Sequence, residues 1–295
     1  MGDIRVGTAS WTDRTLIASG WYPHPVDTPA KRLRFYAQHF PLVEMDASYY
    51  ALPAERTATL WAERTPPGFT FNVKAFSLFT GHPTRVAALP ADLRRAVEAL
   101  GKDNVYLKDV PAEVTGQAWD RFSPRWPRCA TRTSWARSCC SSRPGSPLPG
   151  PTRITSWLVP GGRRRVRCAS SSATTPGWPS ATGRRPWSSY PPTSCRSCVD
   201  MPQGYRSSVT PVLAATADLA VIRFHGHSEK WDSRDIHERF GYRYTLEELA
   251  GWAPRIRDLA GQARTTHVVF NNCYRDYAQT NARELAGLLA NSHSS

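Results

Sequence analysis

Short runs of alternating apolar and polar residues predict β-strands, and apolar residues at helical spacing between them predict helices. Strands are predicted over residues 4–11, 42–49, 69–75, 198–201, 219–226 and 267–272. Helices are predicted over residues 29–40, 54–64, 89–100, 278–290 and, with an interruption near Gly251 and Pro254, 245–263. Strands that alternate with helices indicate βα units and a parallel sheet.

Several of these strands become polar on one face towards their carboxyl ends. Glu44 and Asp46 share one face of their strand, and Arg223 and His225 share one face of another. A parallel sheet covered on both sides should be apolar on both faces, whereas a barrel has polar strand ends where its active site opens. The pattern predicts an α/β fold of the TIM type, a (β/α) barrel with a pocket at the carboxyl ends of its strands.

The middle of the chain breaks this pattern. Residues 123–197 hold 13 Arg, 12 Pro, 15 Ser and five of the seven Cys, but no Asp, Glu, Lys or His and only five Ile, Leu or Val. So little aliphatic surface does not offset the entropy of ordering a chain. We therefore expect one barrel-like domain over residues 1–295 that is incomplete or disrupted in the middle, with residues 123–197 irregular.

Two explanations of this segment stay open, a disordered Arg/Ser/Pro linker and a compensated double frameshift. With GC-rich codons, residues 134–146 shifted by one base can read Leu-Gly-Ala-Val-Leu-Leu-Gln-Phe-Pro-Pro-Trp-Phe. In the same shifted frame, residues 167–181 can read Val-Arg-Val-Glu-Phe-Arg-His-His-Ser-Trp-Leu-Ala-Glu-Arg. Both products resemble buried strands that end in loop residues, which favours a frame lost near Phe122 and recovered near Cys198.

The charge of the chain has the same local origin. The net charge is +14, but outside residues 123–197 there are 25 Lys and Arg against 24 Asp and Glu. A nucleic-acid-binding protein that uses Arg163, Arg164 and Arg165 on phosphates is therefore the alternative function, and the sequence disfavours it.

Other classes of protein fit poorly. No apolar run is long enough for a transmembrane helix, and residues 1–5 lack the apolar core of a signal peptide, so a cytoplasmic protein with free thiols is expected. Cys195 and Cys198 have CxxC spacing without a second pair, and no metal site is predicted. A divalent ion held by Glu44, Asp46, His225 and His227 is a weaker alternative.

The polar strand ends supply the candidate site. Its catalytic candidates can act as bases, anion anchors or proton carriers: Glu44, Asp46, Lys74, Arg223 and His225. For each, a structural ion pair or hydrogen bond is the alternative, such as a bridge from Lys74 to Glu44 or Asp46. Ligand-binding candidates can hydrogen-bond or stack, although the aromatic ones often serve as packing: Trp11, Tyr49, Asp200, Asn271 and Asn272.

Several short motifs in a fixed order resemble the domain of unknown function 72 family. They are Gly7-Thr8-Ala9-Ser10-Trp11, Val43-Glu44-Met45-Asp46, Phe71-Asn72-Val73-Lys74-Ala75, Arg223-Phe224-His225-Gly226 and Phe270-Asn271-Asn272-Cys273. The resemblance covers residues 1–122 and 198–290, and the shifted reading resembles two further strands of the family. It implies a TIM-type barrel and no established activity.

The expected protein is therefore an uncharacterised barrel-family member with a polar pocket for a small sugar-like or anionic ligand. Its cofactors and oligomeric state stay open, and no membrane partner is expected. This chain is expected to be non-functional because of the altered frame in its middle.

Overall fold

The computed structural model describes residues 2–80, 82–122, 154–156, 168–170, 194–215 and 218–291. The chain divides into two compact units, Met1–Glu44 with Pro176–Ser295, and Met45–Thr175. The predicted irregularity of residues 123–197 lies outside the described residues, except at the two short strands β6 and β7 and the start of β8. The prediction of one domain over residues 1–295 stays a prediction.

The strands and helices alternate along most of the described chain. The strands are β1 (Asp3–Ala9), β2 (Leu42–Met45), β3 (Thr70–Val73), β4 (Thr84–Arg85), β5 (Asn104–Val105), β6 (Ile154–Ser156), β7 (Cys168–Ser170), β8 (Ser194–Asp200), β9 (Leu219–Phe224) and β10 (Thr265–Phe270). The α-helices are α1 (Arg14–Ala18), α2 (Pro29–His39), α3 (Ala47–Tyr50), α4 (Glu55–Glu63), α5 (Ala91–Glu98), α6 (Ala112–Phe122), α7 (Ile236–Arg239), α8 (Leu246–Gln262) and α9 (Tyr277–Ala290).

A parallel sheet forms the centre of the first unit. Its strands run in the order β2-β1-β10-β9-β8, and each neighbouring pair is parallel. In the second unit, β4 pairs with β5 and β6 pairs with β7, both antiparallel. These parallel pairings confirm the predicted α/β class with a parallel sheet. The strands β2, β9 and β10 begin within two residues of their predicted starts.

The strand register separates the two faces of this sheet. Leu42, Gly7, Val269, Arg223 and Val199 lie side by side across the five strands and therefore share one face. Glu44 belongs to this face because it lies two residues beyond Leu42 on β2. We call this face of the sheet the inner face. It holds two of the predicted polar residues, Glu44 and Arg223.

The opposite face of the sheet packs against helices. Phe270, Phe224 and Asp200 are aligned across β10, β9 and β8 on this face. The ring of Phe224 lies 5.0 Å from that of Trp252 on α8 and 5.3 Å from that of Tyr244. We call this face of the sheet the helix-facing side. The side chains packed on it are predominantly apolar.

Three local predictions need correction. The strand predicted over residues 42–49 ends at Met45, since residues 47–50 form α3. Helix α8 continues through Gly251 and Pro254 because its apolar stripe, which includes the buried Leu249 and Ile256, outweighs the lost backbone hydrogen bond. Helix α6 was not predicted, although Val114, Ala118 and Phe122 lie on one buried helical face.

Gly7 sets the close approach of β1 to β2. A Cβ atom at this position would lie 1.9 Å from the carbonyl oxygen of Leu42, which is backbone and has little freedom to move. We therefore expect Gly7→Ala to destabilise the fold by about 3 kcal/mol or more, since it forces the two strands apart. Urea denaturation measures this in a chain whose residues 123–197 are read in the shifted frame of the sequence hypothesis, which we call the frame-corrected chain.

Gly251→Ala is the matched control for this substitution. A Cβ atom at Gly251 meets nothing within 4 Å, and the residue lies in the interior of α8. This variant should be more stable by about 0.5–1 kcal/mol. Equal effects of the two alanines would contradict the packing assigned to Gly7.

Candidate functional site

A buried ion pair joins β2 to β9 on the inner face. Arg223 Nη2 donates to Glu44 Oε1 at 2.5 Å, and the two side chains are 7% and 0% exposed. Two strands lie between them, and the small residues Gly7 and Ala9 on β1 leave room for the long side chains. Removing two charges from water costs several kcal/mol per ion, so neither charge is tolerable here without the other.

His225 and Asn271 extend this pair towards the strand ends. Arg223 Nη1 lies 3.3 Å from His225 Nε2, and Asn271 Nδ2 lies 2.8 Å from His225 Nδ1. A guanidinium is only a donor, so it favours a neutral imidazole whose Nε2 accepts. Nδ1 then carries the proton, which requires the Asn271 amide to be turned so that its oxygen accepts.

Glu44, Arg223, His225 and Asn271 therefore form one continuous hydrogen-bonded cluster, which we call the inner cluster. Within this cluster, the carboxylate of Glu44 balances the charge of the Arg223 guanidinium. Their hydrogen-bonding groups include both donors and acceptors. Four of the predicted site residues are brought together here.

An aromatic wall adjoins the inner cluster. The ring of His225 lies 6.1 Å from that of Trp231 and 5.7 Å from that of Phe240, both in the segment between β9 and α8. Trp231 packs with Val199 and Met201, and its Nε1 donates to Ser207. The cluster thus has apolar surface beside its polar groups.

Asp200 and Asn272, two predicted ligand-binding residues, belong to other networks. Asp200 lies on the helix-facing side of the sheet and accepts a hydrogen bond of 2.7 Å from the Tyr244 hydroxyl. Asn272 Nδ2 donates to the carbonyl of Tyr242 and to Asn281 Oδ1. These contacts position the chain before α8.

A second polar cluster, which the sequence did not reveal as a unit, surrounds His227. His227 Nε2 lies 2.9 Å from Asp200 Oδ2, and its Nδ1 lies 3.6 Å from Glu248 Oε1. Tyr242 donates to Glu248 at 2.6 Å. Hydrogen bonding to Asp200 raises the pKa of His227 although burial opposes this rise. Burial raises the pKa of Tyr244 well above its ordinary value, and Asp200 adds to this.

Asp46 and Lys74 pair with each other in the second unit. Lys74 Nζ forms an ion pair with Asp46 Oδ1, and the Ser48 hydroxyl donates to the Lys74 carbonyl at 2.7 Å. The ring of Tyr49 lies 5.9 Å from that of His82. Of the roles that the sequence suggested for Lys74, the structure shows the salt bridge to Asp46.

Trp11 is largely enclosed in the first unit. It is 6% exposed, and its carbonyl accepts a hydrogen bond of 2.5 Å from the Tyr22 hydroxyl. This environment favours packing over stacking on a ligand.

Within the described ranges, no group of three or more His, Cys, Asp or Glu side chains has an arrangement that could hold a metal ion. In the part of the chain that the structure describes, no helix combines the length and apolar character needed to cross a bilayer.

Glu44→Gln should strongly destabilise the protein. The substitution leaves Arg223 charged, buried and without its carboxylate, at an expected cost of about 3–5 kcal/mol. Replacing both residues with apolar ones of similar volume, Glu44→Leu with Arg223→Met, should recover most of that loss. Urea denaturation of the frame-corrected chain compares them.

The exposed pair of Lys31 on α2 and Asp27 in the loop before it supplies the control. Lys31→Gln should leave the denaturation midpoint unchanged, because water already screens this pair. A double variant of Glu44 and Arg223 that is less stable than Glu44→Gln would contradict the burial argument.

Comparisons with known proteins agree with this architecture. The family described as "Protein of unknown function DUF72" matches residues 5–139 and 193–295. A Bacillus subtilis protein with the name UPF0759 protein YunF is 28% identical over 295 residues, which cover 97% of this chain and 94% of that protein.

Solved structures of the family share the fold. A DUF72 family protein of Thermotoga maritima, TM1631, has a TM-score of 0.53 at 20% identity and covers 98% of this chain and 99% of its own. The protein EF0366 of Enterococcus faecalis has a TM-score of 0.54 at 16% identity, with 98% of both chains covered. Because these relatives are TIM-barrel-like, the predicted fold class is confirmed. The chain belongs to the DUF72 family of proteins of unknown function.

Proposed function

We propose that the polar strand ends of this fold bind a small, neutral, hydroxyl-rich molecule of the sugar class. The observation that carries the proposal is the charge balance of the inner cluster. Arg223 is already paired with the buried Glu44 at 2.5 Å. A phosphate or carboxylate ligand on Arg223 would place a second negative charge beside the buried carboxylate of Glu44, which is costly.

The same argument applies to the other candidate cation. Lys74 is paired with Asp46 in the second unit. Both cationic side chains that the sequence suggested as anion-binding groups, Arg223 and Lys74, are thus paired with carboxylates. Of the two ligand classes expected from the sequence, sugar-like and anionic, the charges favour the first.

The chemistry of a sugar fits the groups that are present. Hydroxyl groups donate and accept hydrogen bonds, and so does the side-chain amide of Asn271. The C–H faces of a sugar ring are apolar, and the rings of Trp231 and Phe240 adjoin His225. Ligand sites commonly combine apolar walls with a few such polar groups.

We further propose that residues 123–197 are an out-of-frame reading of family sequence. The family match stops at residue 139 and resumes at residue 193, so the unmatched stretch falls inside this segment. The matched relatives are nearly covered from end to end, at 94% and 99% of their own lengths. An added Arg-rich linker would lengthen this chain relative to them, whereas a compensated frameshift preserves length.

The frame change leads us to propose that this chain is non-functional as read. A TIM-type barrel closes through neighbouring strands, each of which contributes inward side chains and backbone hydrogen bonds. The segment supplies five Ile, Leu or Val residues and 13 uncompensated arginines. A domain whose free energy of unfolding is about 5–15 kcal/mol would not stay folded after such a replacement.

Re-sequencing the gene tests the frame directly. We expect a one-base change near codon 122, compensated near codon 197, to open a strand-rich frame. The chain as read should then be insoluble or protease-sensitive, while the frame-corrected chain should melt cooperatively. Equal cooperative melting of the two chains would overturn the proposal. Salt-dependent DNA binding by a soluble, folded chain as read would support the nucleic-acid alternative.

A ligand screen tests the proposed site. In calorimetric titrations, the frame-corrected chain should bind members of a panel of neutral mono- and oligosaccharides more tightly than inorganic phosphate or sugar phosphates. Asn271→Ala should weaken binding by about tenfold, which corresponds to the loss of one good hydrogen bond. His237→Gln, on α7 and outside the inner cluster, should bind as the parent does. Binding of phosphorylated ligands alone, or binding that is indifferent to Asn271, would contradict the assignment.

A further inference from the structure

The segment of residues 226–244 joins β9 to α8 and carries α7. It also carries Trp231 and Phe240, whose rings contact that of His225 in the inner cluster. The position of this segment therefore controls the aromatic side of the proposed site. We call it the 226–244 segment.

Neutral hydrogen bonds fix the carboxyl-terminal end of this segment. Asn281 Oδ1 accepts from the Tyr244 backbone N–H at 3.0 Å, and Asn281 Nδ2 donates to the Tyr244 carbonyl at 2.9 Å. Asn272 Nδ2 donates to the Tyr242 carbonyl at 2.8 Å. None of these groups changes its protonation in the physiological range, so these contacts are insensitive to pH.

The amino-terminal end has one such neutral hydrogen bond, from the Gly226 backbone N–H to the Tyr244 hydroxyl at 2.9 Å, and beside it an ionisable contact. His227, 38% exposed at its side chain, lies between Asp200 at the end of β8 and Glu248 in the first turn of α8. Each carboxylate also accepts a tyrosine hydroxyl, from Tyr244 and Tyr242 respectively. The contacts of His227 with both carboxylates are ion pairs only while the imidazole is protonated.

We propose that His227 is a pH-sensitive latch that ties the 226–244 segment to Asp200 and Glu248. Asp200 couples the latch to the inner cluster, because its carbonyl accepts the backbone N–H of His225 at 2.8 Å. His227 is therefore a positioning residue, which acts on the site through Trp231, Phe240 and His225. The latch does not depend on the identity of the ligand.

The direction of the pH effect follows from the charges that face His227. These are the carboxylates of Asp200 and Glu248, and the tyrosine hydroxyls beside them stay neutral because the pKa of Tyr242 is raised to about 12 and that of Tyr244 well above 10. The pKa of His227 is higher in the folded protein than in the unfolded chain. Its stabilisation is therefore complete below about pH 6.5 and is lost as the pH rises through the raised value.

Hydrogen exchange followed by mass spectrometry tests the latch on the full-length frame-corrected chain. The protection factor of residues 226–244 should fall between pH 6 and pH 9. Each tenfold difference in the proton affinity of His227 between the folded and unfolded states corresponds to a fall on the order of tenfold. His227→Gln should remove this pH dependence and leave the protection of β1 and β10 unchanged.

Two further variants separate the latch from general effects of pH. His237→Gln removes the other histidine of the segment, which lies 3.7 Å from Asp13 and 3.5 Å from Asp235, and this variant should keep the pH transition that the parent shows. Glu248→Gln removes one of the two carboxylates and should move the transition to lower pH. His267 does not contribute in this range, because burial lowers its pKa to about 3.

Three results would overturn the proposal. They are an unchanged pH dependence in His227→Gln, a pH-independent parent, and a 226–244 segment without protection at pH 6 in a chain whose β1 and β10 are protected. Failure of the saccharide titrations with an intact pH transition would reject the proposed ligand and leave the latch standing.

Discussion

The buried ion pair of Glu44 and Arg223 is the constraint on which the candidate site depends. A carboxylate with no exposure and a guanidinium at 2.5 Å must stay together, since either charge alone is costly in this environment. The pair fixes β2 and β9 relative to each other across β1 and β10, and the β1 residues on this face, Gly7 and Ala9, are small. It also determines how His225 and Asn271 are used, because the guanidinium reaches His225 as a donor.

Sequence patterns predicted the elements well where one physical effect dominated. Helices α2 and α9 have regular apolar spacing, and their bounds agree with the prediction to within one residue. Errors arose where effects compete. The polar alternation that predicted a strand through Tyr49 could not show that the backbone turns after Met45. Pro254 suggested a helix break, but burial of its neighbours keeps α8 continuous.

The candidate site was predictable in its residue types but only partly in its grouping. Alternation along β2 and β9 correctly placed Glu44 and Arg223 on one face. Asp200 lies on the other face because the register of β8 aligns it with Phe224, and register between strands is not visible in one sequence. The cluster around His227 was not predictable from spacing, because Glu248 approaches it from a helix that begins 19 residues further along the chain.

The central claim is that Arg223 forms an ion pair with Glu44 and does not bind an anionic ligand. A crystal structure of the frame-corrected chain, grown at neutral pH in the presence of phosphate, tests this most directly. The account predicts that Arg223 keeps its hydrogen bond to Glu44, with His225 between Arg223 and Asn271 and no phosphate on the guanidinium. A phosphate bound to Arg223, with the Glu44 carboxylate turned away, would contradict it.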